Sequence, residues 1–194
     1  MASLSQILNG LTAKGNNSES WIELVRDLSE PIDMPSPEII FSRRWAEHKD
    51  ILFIAALEGF VKEIEFMKRA LEKGDICLLL ERDGGICAFA WTTFRDYRLS
   101  LWHTLHLPPG YAYLVYIFVN PEFQRKGVGY YLLNCMMAHL KNLGCNFLIS
   151  GMYANWQISL NLHRKAGFKI NKKFIKRRLL RFLPFPPEEV DIKE

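Results

Sequence analysis

A glycine-containing turn with two adjacent cations is the stretch whose residue types and spacing best suggest chemistry. Residues 124–129 read Gln-Arg-Lys-Gly-Val-Gly and follow an apolar run that ends at Val119. A strand-to-helix turn without bulky side chains leaves backbone N–H groups and the positive end of the helix dipole open to an anion. Arg125 and Lys126 add positive charge there. The segment is therefore a candidate phosphate-binding turn.

Two common phosphate-binding motifs do not fit this turn. The dinucleotide-binding fingerprint would need a small residue where Leu132 stands, and the P-loop would need Gly-Lys followed by Ser or Thr. What remains is the pattern Gln-x-x-Gly-x-Gly. It stands between a strand ending in Val-Asn-Pro-Glu-Phe and an amphipathic helix, and this placement makes the short motif more specific.

The pattern resembles the GNAT superfamily of acyl-CoA N-acyltransferases, whose signature is a strand, then Gln/Arg-x-x-Gly-x-Gly/Ala, then a helix. Residues 159–168, Ser-Leu-Asn-Leu-His-Arg-Lys-Ala-Gly-Phe, are similar to a later helix of the same family. The resemblance covers roughly Ile76 to Leu180 and extends to Ile39. It does not reach the first 37 residues.

The resemblance implies an acetyl-CoA or other acyl-CoA cofactor between two splayed parallel strands, Tyr111 to Val119 and Phe147 to Met152. The pyrophosphate would lie on backbone amides of the turn, and strand backbone would hold the pantetheine arm. Asn155 or a neighbour would contact that arm, although the family's usual Asn falls on Trp156 here. The implied cofactor-binding residues are Ile117, Phe118, Val119, Gln124, Arg125, Lys126, Gly127, Val128, Gly129, Asn155 and Ser159.

The resemblance also bears on catalysis. His163 stands where the family usually has a tyrosine general acid, and a histidine can donate a proton near neutral pH. The alternative is a helix histidine that only hydrogen-bonds. The Glu that many members use as a base would fall near Tyr113, and no carboxylate occurs between Tyr97 and Asn120. Besides water, the candidate bases are His103, His106, Tyr113 and Tyr116. We predict His163 and Tyr116 as the catalytic side chains.

The elements that must position these residues predict an α/β fold. The resemblance implies a mixed, mostly antiparallel sheet with a central splayed parallel strand pair, flanked by helices. Apolar spacing predicts one helix from Ile51 to Lys73. Asp83-Gly84 predicts a tight hairpin between two strands, Ile76 to Glu81 and Ile86 to Phe94. Asn155 is predicted to cap a helix that runs to Ala166.

The chain divides by composition into three parts. Residues 1–37 contain two breaker-rich stretches and are predicted to be a variable N-terminal attachment with a short helix from Trp21 to Leu28. Residues 38–183 form the predicted acyltransferase domain. Pro184, Pro186 and Pro187 are expected to end regular structure, so residues 184–194 form a C-terminal tail.

Composition limits the class of protein. With 194 residues, 49% of them hydrophobic, the chain suits one globular domain. The longest apolar stretch, Ile51 to Leu57, is far shorter than the roughly 20 residues of a membrane-spanning helix. No secretory signal is recognisable, so a cytoplasmic protein with four reduced cysteines is expected. His103 and His106 have no further ligands nearby, so no metal is expected.

Several partners and functions stay open at this point. The acceptor is an amine on a small molecule or a protein, and residues 96–110 are either a lid of the acceptor site or a hydrophobic flap over the sheet. An acyl-carrier protein could replace CoA as the donor, or the domain could bind CoA without catalysis. The oligomeric state is also open, and a homodimer is one possibility. The basic run from Arg164 to Arg181 alternates with apolar residues. That pattern is typical of a closing strand, so no nucleic-acid or membrane partner is expected.

Overall fold

The computed structural model of the protein describes residues 19–37, 39–57, 63–99, 103–176, 178–179, 183–184 and 188–190. The strands are β1 Glu19–Asp27, β2 Ser42–Trp45, β3 Ile76–Arg82, β4 Gly85–Thr93, β5 Tyr97–Arg98, β6 Thr104–Leu105, β7 Tyr111–Val119, β8 Phe147–Tyr153, β9 Lys169–Lys176, β10 Arg178–Leu179, β11 Leu183–Pro184 and β12 Glu188–Val190. The α-helices are α1 Ile51–Ala56, α2 Ile64–Glu72, α3 Val128–Asn142 and α4 Gln157–Lys165.

One eight-stranded sheet organises these elements. Its order is β12-β9-β1-β8-β7-β4-β3-β2. Of its neighbouring strand pairs, β7 and β8 run parallel and the others run antiparallel. The predicted fold class, a mostly antiparallel mixed sheet with a central parallel pair and flanking helices, is confirmed.

The two faces of the sheet are covered by different helices. Apolar residues of α3, among them Leu132 and Met136, form one core with the strands. On the opposite face, Ile51 of α1 and Met67 of α2 pack with Phe89 of β4. Strands buried on both faces explain the nearly continuous apolar sequences of the central strands.

The turn between β3 and β4 has the predicted conformation. Asp83 and Gly84 have φ values of 51° and 78°. Two successive left-handed residues match the right-handed twist of a tight antiparallel hairpin, and Asp-Gly tolerates them well. The predicted hairpin is confirmed.

The helix predicted from Trp21 to Leu28 is wrong, because this segment forms β1 and its end. β1 lies in the interior of the sheet, between β8 and β9. Ile22 and Leu24 are buried on the face of α3, and Trp21 packs on Phe174 from β9. A strand with apolar residues on both faces has a short apolar sequence that is also compatible with the spacing of a helix. Part of the segment set apart as an attachment is therefore in the main sheet, while the domain boundary at residue 37 stays a prediction.

The single helix predicted from Ile51 to Lys73 is also wrong. α1 ends at Ala56, and Leu57 has an extended conformation with ψ of 149°. α2 begins at Ile64, and residues 58–62 lie outside the described part of the chain. Each helix places apolar residues on the same core at helical spacing, so the pattern alone could not reveal the break.

The closing strand predicted within the basic run from Arg164 to Arg181 is present as β9, which pairs with β1 and β12. Phe174 is buried, and Lys169 is exposed with its Nζ 3.1 Å from Glu30. The prediction that regular structure ends at Pro184 is wrong, because Glu188–Val190 adds an edge strand to the sheet. An edge strand of three residues leaves little sequence signal.

No helix in the described ranges is long and apolar enough to cross a membrane. The same ranges hold no group of three or more His, Cys, Asp or Glu side chains arranged to bind a metal ion.

Asp75, between α2 and β3, supplies the first testable prediction. Its buried carboxylate accepts hydrogen bonds from Trp91 Nε1 at 3.2 Å and Thr93 Oγ1 at 2.8 Å, and it pairs with Arg95 at 2.6 Å. Asp75→Ala leaves the two buried donors unsatisfied, so we expect a loss of about 3 kcal/mol in the free energy of unfolding, measured by urea titration. Glu65→Ala, on the exposed face of α2, serves as the control and should change it by less than about 0.5 kcal/mol. Equal effects of both variants would contradict this role of Asp75.

Candidate functional site

The parallel strands β7 and β8 separate halfway along their length. They pair from Tyr111 with Phe147 to Leu114 with Ser150 and not beyond. β7 continues beside β4, and β8 continues beside β1. We call the separated part, residues 115–119 and 151–153, the fork. Backbone groups that line the fork lack partners on the neighbouring strand and can bind a ligand.

A β-bulge marks the point where the fork begins. Opposite β4, Trp91 pairs with Tyr116 and Thr92 pairs with Leu114, which leaves Val115 as the extra residue. A bulge bends its strand and increases the local twist. It therefore turns the end of β7 away from β8.

The predicted phosphate-binding turn follows directly after the fork. Arg125 and Gly127 have φ values of 61° and 76°, and Gly127 is the N-cap of α3 without a side-chain cap. The first N–H groups of α3 are therefore open to an anion. Gln124 Nε2 donates to the carbonyl of Val119 at 3.0 Å, which ties the turn to the end of β7.

A pocket of about 920 Å³ lies between the fork, this turn and α4. Its volume suits a cofactor-sized ligand. Nine of the predicted cofactor residues line it: Ile117, Val119, Gln124, Arg125, Gly127, Val128, Gly129, Asn155 and Ser159. The ring of Phe118 stacks on Phe89 on the opposite face of the sheet, at 5.6 Å between centroids. Lys126 lies over the Phe123 ring. Phe118 and Lys126 are thus the two predicted cofactor residues that do not line the pocket.

Seven further residues line the pocket and were not predicted from the sequence: Tyr130, Trp156, Gln157, Ile158, Asn161, Leu162 and Lys165. Ile158, Leu162 and Lys165 are spaced by four and three, so the helical period could have grouped them on one face. Lys165 Nζ lies 4.4 Å above the centre of the Tyr130 ring. With Arg125, it gives the pocket a second cation.

The cap predicted at Asn155 is wrong. α4 begins at Gln157, and its N-cap is Trp156, which makes no side-chain capping bond. The backbone N–H of Gln157 donates to the carbonyl of Asn155 at 2.9 Å. This turn delays the start of the helix and leaves the Asn155 side chain exposed at the pocket.

His163 is buried and does not line the pocket. Its side chain is on the core face of α4 and lies against Phe168, with 4.9 Å between ring centroids. Nδ1 is 2.8 Å from the carbonyl of Ser159, so Nδ1 carries the proton and donates it. Burial lowers the pKa of His163. The role of general acid stays a prediction, and this geometry does not favour it.

Tyr116 lies on β7 beside the bulge, on the face of α2. It packs edge-on against Phe66 and shares side-chain hydrogen bonds with Glu63 and Tyr97. Burial, followed by the neighbouring Tyr97 and Glu63, raises the pKa of Tyr116. The phenol therefore stays protonated at neutral pH and is a weaker acid than an ordinary tyrosine, and Tyr116 does not line the pocket. Its catalytic role stays a prediction.

The other predicted bases lie in or near the flap, which we define as the described residues 96–99 and 103–110. His106 is exposed, with Nδ1 2.6 Å from Asp96. Tyr113 is buried with Leu105 and Ile149, and burial raises its pKa. His103 lies against Phe174. The structure brings none of these three into the pocket.

The fold and the site combine a splayed strand pair with an open helix N-terminus, an arrangement that could bind an anionic ligand. A family model described as "Acetyltransferase (GNAT) family" matches residues 32–168. The chain therefore belongs to the GNAT acetyltransferase family. β1 and β9 lie outside the matched residues.

The similarity to individual relatives covers only part of the length of those proteins. The L-amino acid N-acyltransferase MnaT of Escherichia coli K12 is 26% identical over 97 residues, 48% of this chain and 49% of that protein. A GCN5-related N-acetyltransferase from Sphaerobacter thermophilus has a TM-score of 0.63 at 14% identity, over 90% of this chain and 56% of that one. The chain thus spans about half the length of these relatives.

A smaller solved structure matches over most of its length. The aminoglycoside N-acetyltransferase AAC(6′)-Iy in complex with CoA has a TM-score of 0.52 at 21% identity, over 66% of this chain and 91% of that one. At this identity the likeness concerns the fold.

The burial of His163 predicts a pH dependence of stability. Because its pKa is lowered in the folded state, the unfolded chain binds more protons once the pH falls below about 6.5. Stability is therefore lost as the pH falls from 7 towards 5, at up to about 1.4 kcal/mol per pH unit. His163→Phe keeps an aromatic ring beside Phe168 and should lose less stability over this range. Urea titrations at several pH values measure the difference, and parallel curves for both proteins would contradict the account.

Proposed function

We propose that the protein is an acyl-CoA-dependent N-acyltransferase that moves an acetyl group from acetyl-CoA to a primary amine. One observation carries the proposal: the fork opens onto a pocket whose far wall is an uncapped helix N-terminus with two cations, Arg125 and Lys165. A ligand with a peptide-like arm and a pyrophosphate would match both parts of this pocket.

The residues present fit such a ligand. A Cβ at Gly129 would lie 3.3 Å from Leu162 and 3.4 Å from Val119, so glycine keeps the space between β7 and α4 open. The N–H groups of the turn would bind the pyrophosphate, and the backbone of residues 117–119 would pair with the amides of the pantetheine arm. Asn155 and Ser159 would contact that arm from the side of α4.

When bound, acetyl-CoA supplies a thioester whose carbonyl carbon an amine can attack. The chain would orient this carbonyl through the backbone of the fork. A C–N bond forms and the C–S bond breaks, while the amine loses one proton and the thiolate gains one. Tyr116, which stays protonated, is the proposed proton donor, and water is the proposed acceptor of the amine proton.

Two neighbouring cations on α4 offer a matched test of the pyrophosphate site. Lys165 lines the pocket, whereas the adjacent exposed Arg164 does not. Lys165→Glu should weaken acetyl-CoA binding by about tenfold or more, because a negative charge would face the phosphates. Arg164→Glu changes the net charge equally and should change the dissociation constant less than about twofold, as measured by calorimetry. An equal loss of affinity in both variants would contradict the site.

Activity is tested by thiol release. With acetyl-CoA and a panel of primary amines, we expect release of free CoA that depends on the amine. In addition, acetyl-CoA at about 100 times its dissociation constant should stabilise the fold by roughly 2.7 kcal/mol. Binding without release would indicate a silent CoA-binding domain. If acetyl-CoA neither binds nor releases CoA, but an acylated carrier protein transfers its acyl group, the donor is the carrier protein.

A further inference from the structure

A buried carboxylate lies on the face of the sheet opposite the cofactor pocket. Glu23, in the middle of β1, is 3% exposed. Asn171 Nδ2 donates to its Oε1 at 2.6 Å, and no described cation forms an ion pair with it. Lys172, its register partner on β9, has its Nζ 3.5 Å from Glu189 instead. A buried carboxylate is costly unless a positive charge or several donors compensate it.

Aromatic rings stand next to this carboxylate. Trp21 precedes Glu23 by two residues, so both side chains are on the same face of β1. The rings of Trp21, Phe174 and His103 form a cluster with centroid distances of 4.8 to 6.3 Å. His103 belongs to the flap, and its buried Nε2 has no hydrogen-bond partner among the described residues.

The cluster borders the fork. Glu23 is the register partner of Gly151, the first residue of β8 beyond its last pair with β7. A Cβ at Gly151 would lie 1.9 Å from an indole carbon of Trp21, so the indole occupies the space above this glycine. Ile22 and Leu24 pack towards the core of α3, whereas Glu23 alternates to the flap side. The fork is the gap in the sheet between this cluster and the pocket.

We propose that Glu23, together with Trp21, Phe174 and His103, binds the ammonium group of the acceptor. This group gives one proton to water before its nitrogen, as a neutral amine, reaches the thioester through the fork. The ammonium would neutralise the buried carboxylate and lie against the aromatic faces, which attract cations within about 6 Å. His103 Nε2 would accept one N–H. This inference rests on the proposed function, because it assigns the second substrate of the same site.

The chemistry of the cluster also selects a class of acceptor. It presents one carboxylate and three aromatic rings, and Lys172 is already beside Glu189. A primary amine with an aliphatic or aromatic body matches these groups. An α-amino acid would bring a second carboxylate next to Glu23, and no cation of this cluster, as far as the structure describes it, is free to receive that carboxylate.

A matched ligand pair tests the site without relying on turnover. Phenethylamine and phenylalanine differ by one carboxylate, and calorimetry measures their binding to the 194-residue protein saturated with CoA. We expect phenethylamine to bind at least tenfold more tightly than phenylalanine. Glu23→Gln should weaken phenethylamine binding at least tenfold and leave the affinity for CoA within twofold. Glu65→Gln, on the exposed face of α2, is the control and should leave both affinities unchanged.

Further measurements separate the possible failures. Phe174→Leu keeps an apolar side chain and removes a ring, so it should weaken phenethylamine binding severalfold, and it replaces Glu23→Gln as the test if that variant does not fold. The acceptor site would be overturned if a folded Glu23→Gln or Phe174→Leu variant bound phenethylamine as tightly as the wild type. It would also be overturned if the wild type bound phenylalanine more tightly than phenethylamine. A wild-type protein that does not bind CoA at all would instead overturn the proposed function.

Discussion

The separation of β7 from β8 beyond Leu114 and Ser150 is the constraint on which the site depends. In the interior of a sheet, backbone N–H and C=O groups are satisfied by the next strand, and leaving them unpaired is costly. Here each strand keeps its outer neighbour, so the gap is held open from both sides without loss of the sheet. The bulge at Val115 supplies the bend, and a ligand with its own amide groups can complete the pairing.

The two faces of the sheet also present groups of opposite charge beside the fork. On the face of α3 and α4, the helix N-terminus with Arg125 and Lys165 favours an anion. On the flap face, Glu23 and its aromatic neighbours favour a cation. A donor with phosphates and an acceptor with an ammonium would therefore approach from opposite faces and meet at the fork. Such an arrangement would hold the phosphates of the donor on one face of the sheet and the acceptor on the other, with their reacting groups close together at the fork.

Local patterns predicted the parts of the molecule that local physics determines. The Asp83-Gly84 hairpin, β7 and the glycine turn before α3 follow from backbone preferences and strand or helix periods, and the structure agrees. β1 was missed because a strand buried on both faces resembles a short helix in its apolar spacing. Glu23 was missed with it, since only the long-range pairing of β1 with β8 brings this carboxylate to the fork. The orientation of His163 also depends on packing against Phe168, which one helical sequence does not reveal.

Amide hydrogen exchange along β7 tests the central claim most directly. Residues 111–114 are paired with β8, and Tyr113 and Leu114 also pair with β4, whereas residues 116–119 are paired with β4 alone. If the fork holds the pantetheine arm, adding acetyl-CoA should slow exchange in residues 115–119 and in the first turn of α3, with little change in residues 111–114. Unchanged exchange in residues 115–119 at saturating acetyl-CoA would contradict the account.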